Sequence, residues 1–181
     1  MPTDKSKIVA IVHSQMPDMG RSLRCIDDTS VQIANHIVDF FSYEIKAGRL
    51  PENLLPLQSG VGSVANAVLG ALIESPFKNL TLYSEVFQNT FLDFLDSGKC
   101  DMISCTSLSL SQDGFERWWR NYDSYKEKVI LRPQRVSNNP SLIRRPGVIS
   151  MNTPVDFDNY GNVNSSLTGG TRMSNGNGGT N

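Results

Sequence analysis

The chain has little of what would announce a specialised partner. Its 181 residues carry 17 basic and 18 acidic side chains, a formal net charge of −1. That leaves no electrostatic excess to draw in nucleic acid, and no basic stripe runs through the sequence. No apolar run approaches the ~20 residues that span a bilayer, so no membrane partner is expected. There are only three cysteines, Cys25, Cys100 and Cys105. No two stand at C-x-x-C spacing, which points to a reducing compartment and not to a disulfide scaffold. The two histidines, His13 and His36, have no companions at ligand spacing, and no metal is expected. Neither a secretory apolar region nor an arginine-rich presequence stands ahead of Lys7. What remains is 39% hydrophobic, enough to build a core. The expectation is a soluble, intracellular globular chain.

Strand-like and helix-like segments alternate along it. Ile8 to Val12 is a β-branched run of the buried-strand type. Asp27-Asp-Thr-Ser30 supplies helix-capping residues, and Ile33, Ile37, Phe40, Phe41 and Ile45 then recur on one helical face. Gly48 is the expected stop. Leu54 to Leu57 reads as a short strand, with Pro56 marking a sheet edge or a strand end. Gly60-Val-Gly62 turns the chain into an alanine-rich helix over 64–73. A strand at 80–83, a helix at 87–95, a strand at 102–105, a helix at 112–126 and a strand at 129–131 come next. Val148 to Met151 and Val155 to Phe157 read as consecutive strands with no helix between them. The pattern predicts an α/β fold, an open and largely parallel sheet with flanking helices. From Tyr160 to Asn181 the chain holds six of its fourteen glycines and five asparagines. Composition reads this tail as fraying, because it has almost nothing to bury.

Ligands of open α/β sheets bind beyond the carboxyl ends of the strands. Two such ends carry chemistry. One is the Gly60-Val61-Gly62 turn, where glycines allow close backbone approach and a helix start offers free N–H groups to an anion. The other is Ser84-Glu85, a carboxylate at a strand tip. These ends support two readings. Gly60-x-Gly62-x-x-Ala65 fits a dinucleotide-binding turn, with Glu85 near the distance of a ribose ligand. Alternatively Glu85 is a nucleophile, and the turn's amides hold the oxyanion formed when it attacks an acyl group. Elsewhere, Trp118 and Trp119 read as one core anchor and one surface neighbour, and Cys100 and Cys105 as buried thiols. Arg132, Arg135, Arg144 and Arg145 make the one basic cluster, read first as solvated or ion-paired and second as phosphate contacts.

Longer segments carry a resemblance. Leu55-Pro-Leu-Gln-Ser-Gly-Val-Gly62, Ala65-Asn-Ala67, Tyr83-Ser-Glu-Val-Phe-Gln88 and Phe91-Leu-Asp-Phe-Leu-Asp-Ser-Gly-Lys99 are similar to the acetyl-CoA hydrolase/CoA-transferase family of the class I type. Ile130-Leu-Arg-Pro-Gln-Arg-Val-Ser-Asn-Asn-Pro140, Leu142-Ile-Arg-Arg145, Val148-Ile-Ser-Met-Asn-Thr-Pro154 and Tyr160-Gly-Asn-Val-Asn-Ser165 extend it over almost the whole chain.

The resemblance implies that Glu85 attacks acyl-CoA, passes through an acyl-glutamyl anhydride and becomes a glutamyl-CoA thioester. Water or a carboxylate then resolves it. It further implies that backbone amides of Val61 and Gly179 form the oxyanion hole. Gly60, Gly62, Asn138 and Gly178 would line the CoA or acyl site. The substrates implied are acetyl-CoA or succinyl-CoA with acetate, and coenzyme A enters as a thioester substrate with no permanent cofactor and no metal. Family members are more than twice this length. Residues 1–159 would then be a partial C-terminal α/β domain and 160–181 a truncated active-site loop. The partner would be an N-terminal half, with a homodimer left open. Fungal members, which are mitochondrial, share the most with it, so a mitochondrial location is implied. Leu167-Thr-Gly169 departs from the His and Asn usual there. A catalytically inactive fragment is the alternative that these departures and the length keep open.

Overall fold

The computed structural model describes residues 4–16 and 26–173. A single 3-10 turn spans Lys5–Lys7, and residues 8–16 come after it in no regular element. The strand expected at Ile8 to Val12 is therefore absent. Val9, Ile11 and Val12 are almost wholly exposed. β-branched composition reports how well a segment would fit a pleated, half-buried surface, and among the described residues no strand pairs with this one.

Helix α1, Asp28–Lys46, starts where Asp27 accepts the Ser30 N–H at 2.7 Å. It stops at Ala47 and Gly48, whose φ of 71° is the left-handed value that glycine accepts without strain. Its buried stripe runs through Ser30, Ala34 and Phe41, with Ile37, Val38 and Ile45 half-buried beside it. Ile33 and Phe40, expected on that face, are exposed.

The remaining elements run in chain order. Strand β1 is Leu57–Ser59, helix α2 Ser63–Glu74, strand β2 Leu80–Tyr83 and strand β3 Val86–Phe87. Helix α3 is Asn89–Asp96, strand β4 Cys100–Cys105 and strand β5 Ser107–Leu108. The long helix expected at 112–126 is two pieces, α4 Gln112–Arg120 and α5 Tyr122–Tyr125, broken at Asn121. Strand β6 is Val129–Leu131, with short helices α6 Gln134–Ser137 and α7 Pro140–Arg144 after it. Strand β7 is Ile149–Met151. Four two-residue strands end the described chain, β8 Asp156–Phe157 against β9 Val163–Asn164, and β10 Leu167–Thr168 against β11 Arg172–Met173, each pair antiparallel.

The main sheet has the order β6-β4-β2-β1-β7, and every pairing in it is parallel. Parallel crossovers lead from β1 to β2, β4 and β6 through α2, α3 and α4, and α1, α2, α3 and α4 each pack on the next. The chain then returns to add β7 on the far side of β1. Pro56 therefore marks a strand start and not a sheet edge, since β1 pairs on both sides and Pro56 itself accepts only the Ile149 N–H. Among the described residues no helix is long and apolar enough to cross a membrane.

Phe87, Phe91, Phe94, Leu82, Leu92, Ile103 and Trp118 fill the space between sheet and helices. Trp118 is buried while Trp119 is exposed. Cys100 and Cys105 are buried in β4, and burial pushes their thiols up to about 11 and about 12. A thiol held neutral by the fold but free to ionise when unfolded favours the unfolded chain at high pH. Stability should thus fall as pH rises from about 9 towards 11–12, in steps absent from a Cys100→Ala, Cys105→Ala double variant. Denaturant melts across that window would show it; identical pH slopes would refute it.

Candidate active site

All five main strands run the same way, so their carboxyl ends lie along one edge. The registers also align the residues just beyond those ends. Leu57 faces Leu82 across β1 and β2, Ser59 faces Met151 across β1 and β7, Tyr83 faces Ser104 across β2 and β4, and Cys105 faces Leu131 across β4 and β6. Carried past the strand ends, these pairings put Asn152, Gly60, Glu85, Thr106 and Arg132 in one row. The loops keep the alignment. Gly60 N–H donates to Met151 O at 3.0 Å, Ser84 Oγ to Ser59 O at 3.0 Å, and Thr106 N–H to Glu85 O at 2.8 Å.

The turn after β1 is held from inside. Buried Gln88 donates its Nε2 to Gly60 O at 3.0 Å. In a trans peptide the C=O and the following N–H point opposite ways, so fixing Gly60 O aims the Val61 N–H away from Gln88. That N–H meets no acceptor among the described residues. Gly62 has φ 144° and ψ −178°, a region that only glycine occupies without strain. At Gly60 the constraint is space, because a Cβ there would come to 3.0 Å from Asn152 Oδ1 and push that side chain back. Asn152 in turn exchanges two amide hydrogen bonds with Gln58, 2.7 and 3.0 Å, tying the loop after β7 to β1. Gly62→Ala is expected to cost about 1–3 kcal/mol and to shift the turn; a variant with unchanged melting temperature would contradict the geometry.

Glu85 is half-buried. Its Oε1 accepts from Gln134 Nε2 at 3.1 Å, and among the described residues it forms no ion pair. Gln134 opens α6, which Tyr83 anchors by donating its hydroxyl to Val136 O at 3.0 Å. Asn138 caps the end of the same helix and is half-buried. Arg132 of the basic cluster bonds Ser104 Oγ through Nε at 2.8 Å. A cavity of about 380 Å³ opens between β1 and β7, where the strand order reverses. Ile33, Ile37, Val61, Val64 and Met151 line it, which explains the exposure of Ile33.

The structure thus gathers Gly60, Val61, Gly62, Glu85 and Asn138 at one edge of the sheet. Gly178 and Gly179 lie outside the described residues. Gln134, Gln88 and Asn152 had no assigned role in the sequence. Each sits in a motif that carries the family resemblance, but its partner is distant in the chain and no local pattern reveals the pairing. Among the described residues no group of three or more His, Cys, Asp or Glu could hold a metal.

The fold defines the class. RipA from Yersinia pestis superimposes with a TM-score of 0.71 at 23% identity, covering 90% of this chain and 36% of that one. The 4-hydroxybutyrate CoA-transferase from Porphyromonas gingivalis does so with a TM-score of 0.55 at 16% identity, covering 75% and 34%. The architecture is that of the CoA-transferase-like α/β proteins.

Sequence then narrows the class. Residues 114–181 match the family profile described as the acetyl-CoA hydrolase/transferase C-terminal domain. Over 180 residues the chain is 51% identical to an acetyl-CoA hydrolase of Neurospora crassa, 51% to one of Candida albicans and 50% to one of Saccharomyces cerevisiae. Each alignment covers 99% of this chain and 34% of the relative. Almost throughout its length the chain is similar to members of the acetyl-CoA hydrolase/transferase family, and it spans about a third of the length of the curated relatives it matches.

Proposed function

We propose that these residues carry the nucleophile of an acetyl-CoA hydrolase or acyl-CoA:carboxylate CoA-transferase, acting with an N-terminal half of the kind its longer relatives possess. The observation that carries the reading is the Glu85 carboxylate just beyond β2, in register with a turn whose Val61 N–H meets no acceptor among the described residues and is aimed by Gln88.

The chemistry comes from that pair. The Glu85 carboxylate attacks the thioester carbonyl carbon, and the oxygen that becomes negative takes the Val61 N–H. Collapse breaks the C–S bond, leaving an acyl-glutamyl anhydride and CoA thiolate. The thiolate attacks the glutamyl carbon and expels acetate, forming a glutamyl-CoA thioester. Water, or an acceptor carboxylate, then restores Glu85 and releases CoA or a new acyl-CoA. Gly60 and Gly62 allow the thioester to approach the backbone, and Asn138 contributes a polar side chain to the substrate side. Gly179 would supply a second amide to the oxyanion and Gly178 a close approach beside it. A role in acetate and acetyl-CoA metabolism, with a mitochondrial setting, extends the same reading. The dinucleotide alternative uses the same turn but gains nothing from the relatives' names.

The test is a chimera in which this chain replaces its matched segment of the Saccharomyces cerevisiae relative, with the isolated chain measured alongside. Incubation with acetyl-CoA followed by borohydride or hydroxylamine should modify Glu85, as read by peptide mass. A chimera that turns over no acetyl-CoA and carries no mark on Glu85 overturns the reading. Marking of the chimera and not of the isolated chain would assign the missing activity to the absent two thirds.

A further inference from the structure

Two acceptors can resolve the glutamyl-CoA thioester of the proposed cycle, and they differ in charge. Water is neutral and reaches Glu85 without electrostatic help. A carboxylate is repelled by the free Glu85 carboxylate, and it gathers beside Glu85 only if a counter-charge is at hand. The choice between hydrolysis and transfer therefore turns on a cation that stands near Glu85 without pairing to it.

We propose that Arg132 is that cation. It holds the acceptor carboxylate beside Glu85, and so sets how much thioester passes to an acid and how much is lost to water. This inference rests on the proposed function and adds a specificity-determining residue to it.

The registers place Arg132. Tyr83 faces Ser104, and Ser104 faces Ile130. Val86 and Ser107 keep the first of these alignments, and the Arg132 N–H still donates to Cys105 O at 2.7 Å. Glu85, Thr106 and Arg132 thus follow one another on adjacent strands at one height. Because side chains alternate along a strand, all three leave the face that carries Tyr83 and Ser104. At about 4.8 Å per strand, the backbones of Glu85 and Arg132 stand roughly 10 Å apart. Only a threonine lies between them.

The guanidinium is also held back from Glu85. Its Nε donates to Ser104 Oγ at 2.8 Å, and Ser104 is buried. That bond draws the cation towards β4, and among the described residues it forms no ion pair with Glu85 or any other acid. Arg132 is half-buried, and its two Nη groups meet no acceptor among the described residues. Withdrawing a cation from water without a partner is costly. The planar fork that remains open matches a carboxylate.

The charges set the order of events. While Glu85 is a free carboxylate, it repels an incoming acid. Once Glu85 is a neutral thioester, that repulsion is gone and the Arg132 charge is left for the acceptor. One carboxylate oxygen attacks the glutamyl carbon, the C–S bond breaks, and its electron pair leaves on sulfur. The products are a mixed anhydride and CoA thiolate. The thiolate attacks the acyl carbon of the anhydride and breaks its C–O bond to Glu85, giving the new acyl-CoA and the free carboxylate. In hydrolysis water attacks the thioester instead, the sulfur takes a proton from it, and no counter-charge is needed.

The experiment uses the chimera with acetyl-CoA and labelled acetate. Label entering acetyl-CoA measures transfer, and release of free thiol measures hydrolysis in the same sample. Arg132→Gln, which keeps a donor for Ser104 Oγ, should lower the ratio of transfer to hydrolysis about 10–100-fold. The KM for acetate should rise, with a smaller effect on hydrolysis. Arg132→Lys should restore part of the ratio, since it keeps the charge and loses the fork. If the parent never marks Glu85, the proposed function fails and this inference falls with it. If the parent marks Glu85 but takes up no label, only the inference is overturned. A parent ratio in Arg132→Gln overturns it too, as does equal loss of both reactions, which is what a merely structural role would give. Should Arg132→Gln not fold, Arg132→Lys decides, and a parent KM for acetate there overturns the inference.

Discussion

Glu85→Gln in the chimera is expected to lower acetyl-CoA turnover by at least about a thousandfold, with the melting temperature within a degree or so of the parent. The size comes from the chemistry. An amide oxygen is a far weaker nucleophile than a carboxylate, and the proposed route runs through a covalent bond to that oxygen. The fold should tolerate the change, because the glutamine oxygen can still accept from Gln134 Nε2, the one side-chain bond that Glu85 makes among the described residues. No ion pair is broken, so no charge is left stranded beside it. Release of CoA measured with a thiol reagent gives the rate, and peptide mass shows whether the mark on residue 85 disappears. Residual turnover within tenfold of the parent would sink the covalent assignment.

Where the sequence was legible, a local chemical reason lay behind it. Asp27 caps α1 because its carboxylate meets an N–H three residues on, and Gly48 ends the helix because it accepts a positive φ. The turn at Gly60 to Gly62 and the strand ending at Tyr83 were legible for the same reason. What failed depended on partners far along the chain. Ile8 to Val12 has strand composition, but among the described residues no strand pairs with it. Ile33 has core periodicity but faces a cavity made by the loop after β7. Gln134 meets Glu85 across 49 positions, and only the order of strands in the sheet brings them together. The sequence motifs marked Glu85 by resemblance, but its hydrogen-bond partners became visible only through strand order and registers.

Phe87→Ala should be the most costly single change to stability, about 3–5 kcal/mol. Phe87 is fully buried and stands edge-on to Phe91 at 5.4 Å and to Trp118 at 5.5 Å. Those three rings come from β3, α3 and α4, so their contact ties the two helices to the short β3–β5 ladder. Removing the middle ring leaves a cavity that rigid neighbours on three elements cannot collapse to fill. Phe87→Leu keeps most of the volume and should cost less. Denaturant melts monitored by tryptophan fluorescence would measure both, and a loss below about 1 kcal/mol for the alanine variant would contradict this packing. The position also separates stability from chemistry. Phe87 lies two residues beyond Glu85, in the short strand that pairs with Ser107 and Leu108. Its loss should loosen the segment that carries Glu85 without altering that side chain, so activity of the chimera should return on cooling or on adding a stabilising osmolyte. The Glu85→Gln variant, stable but lacking its reacting oxygen, should stay inactive under both treatments.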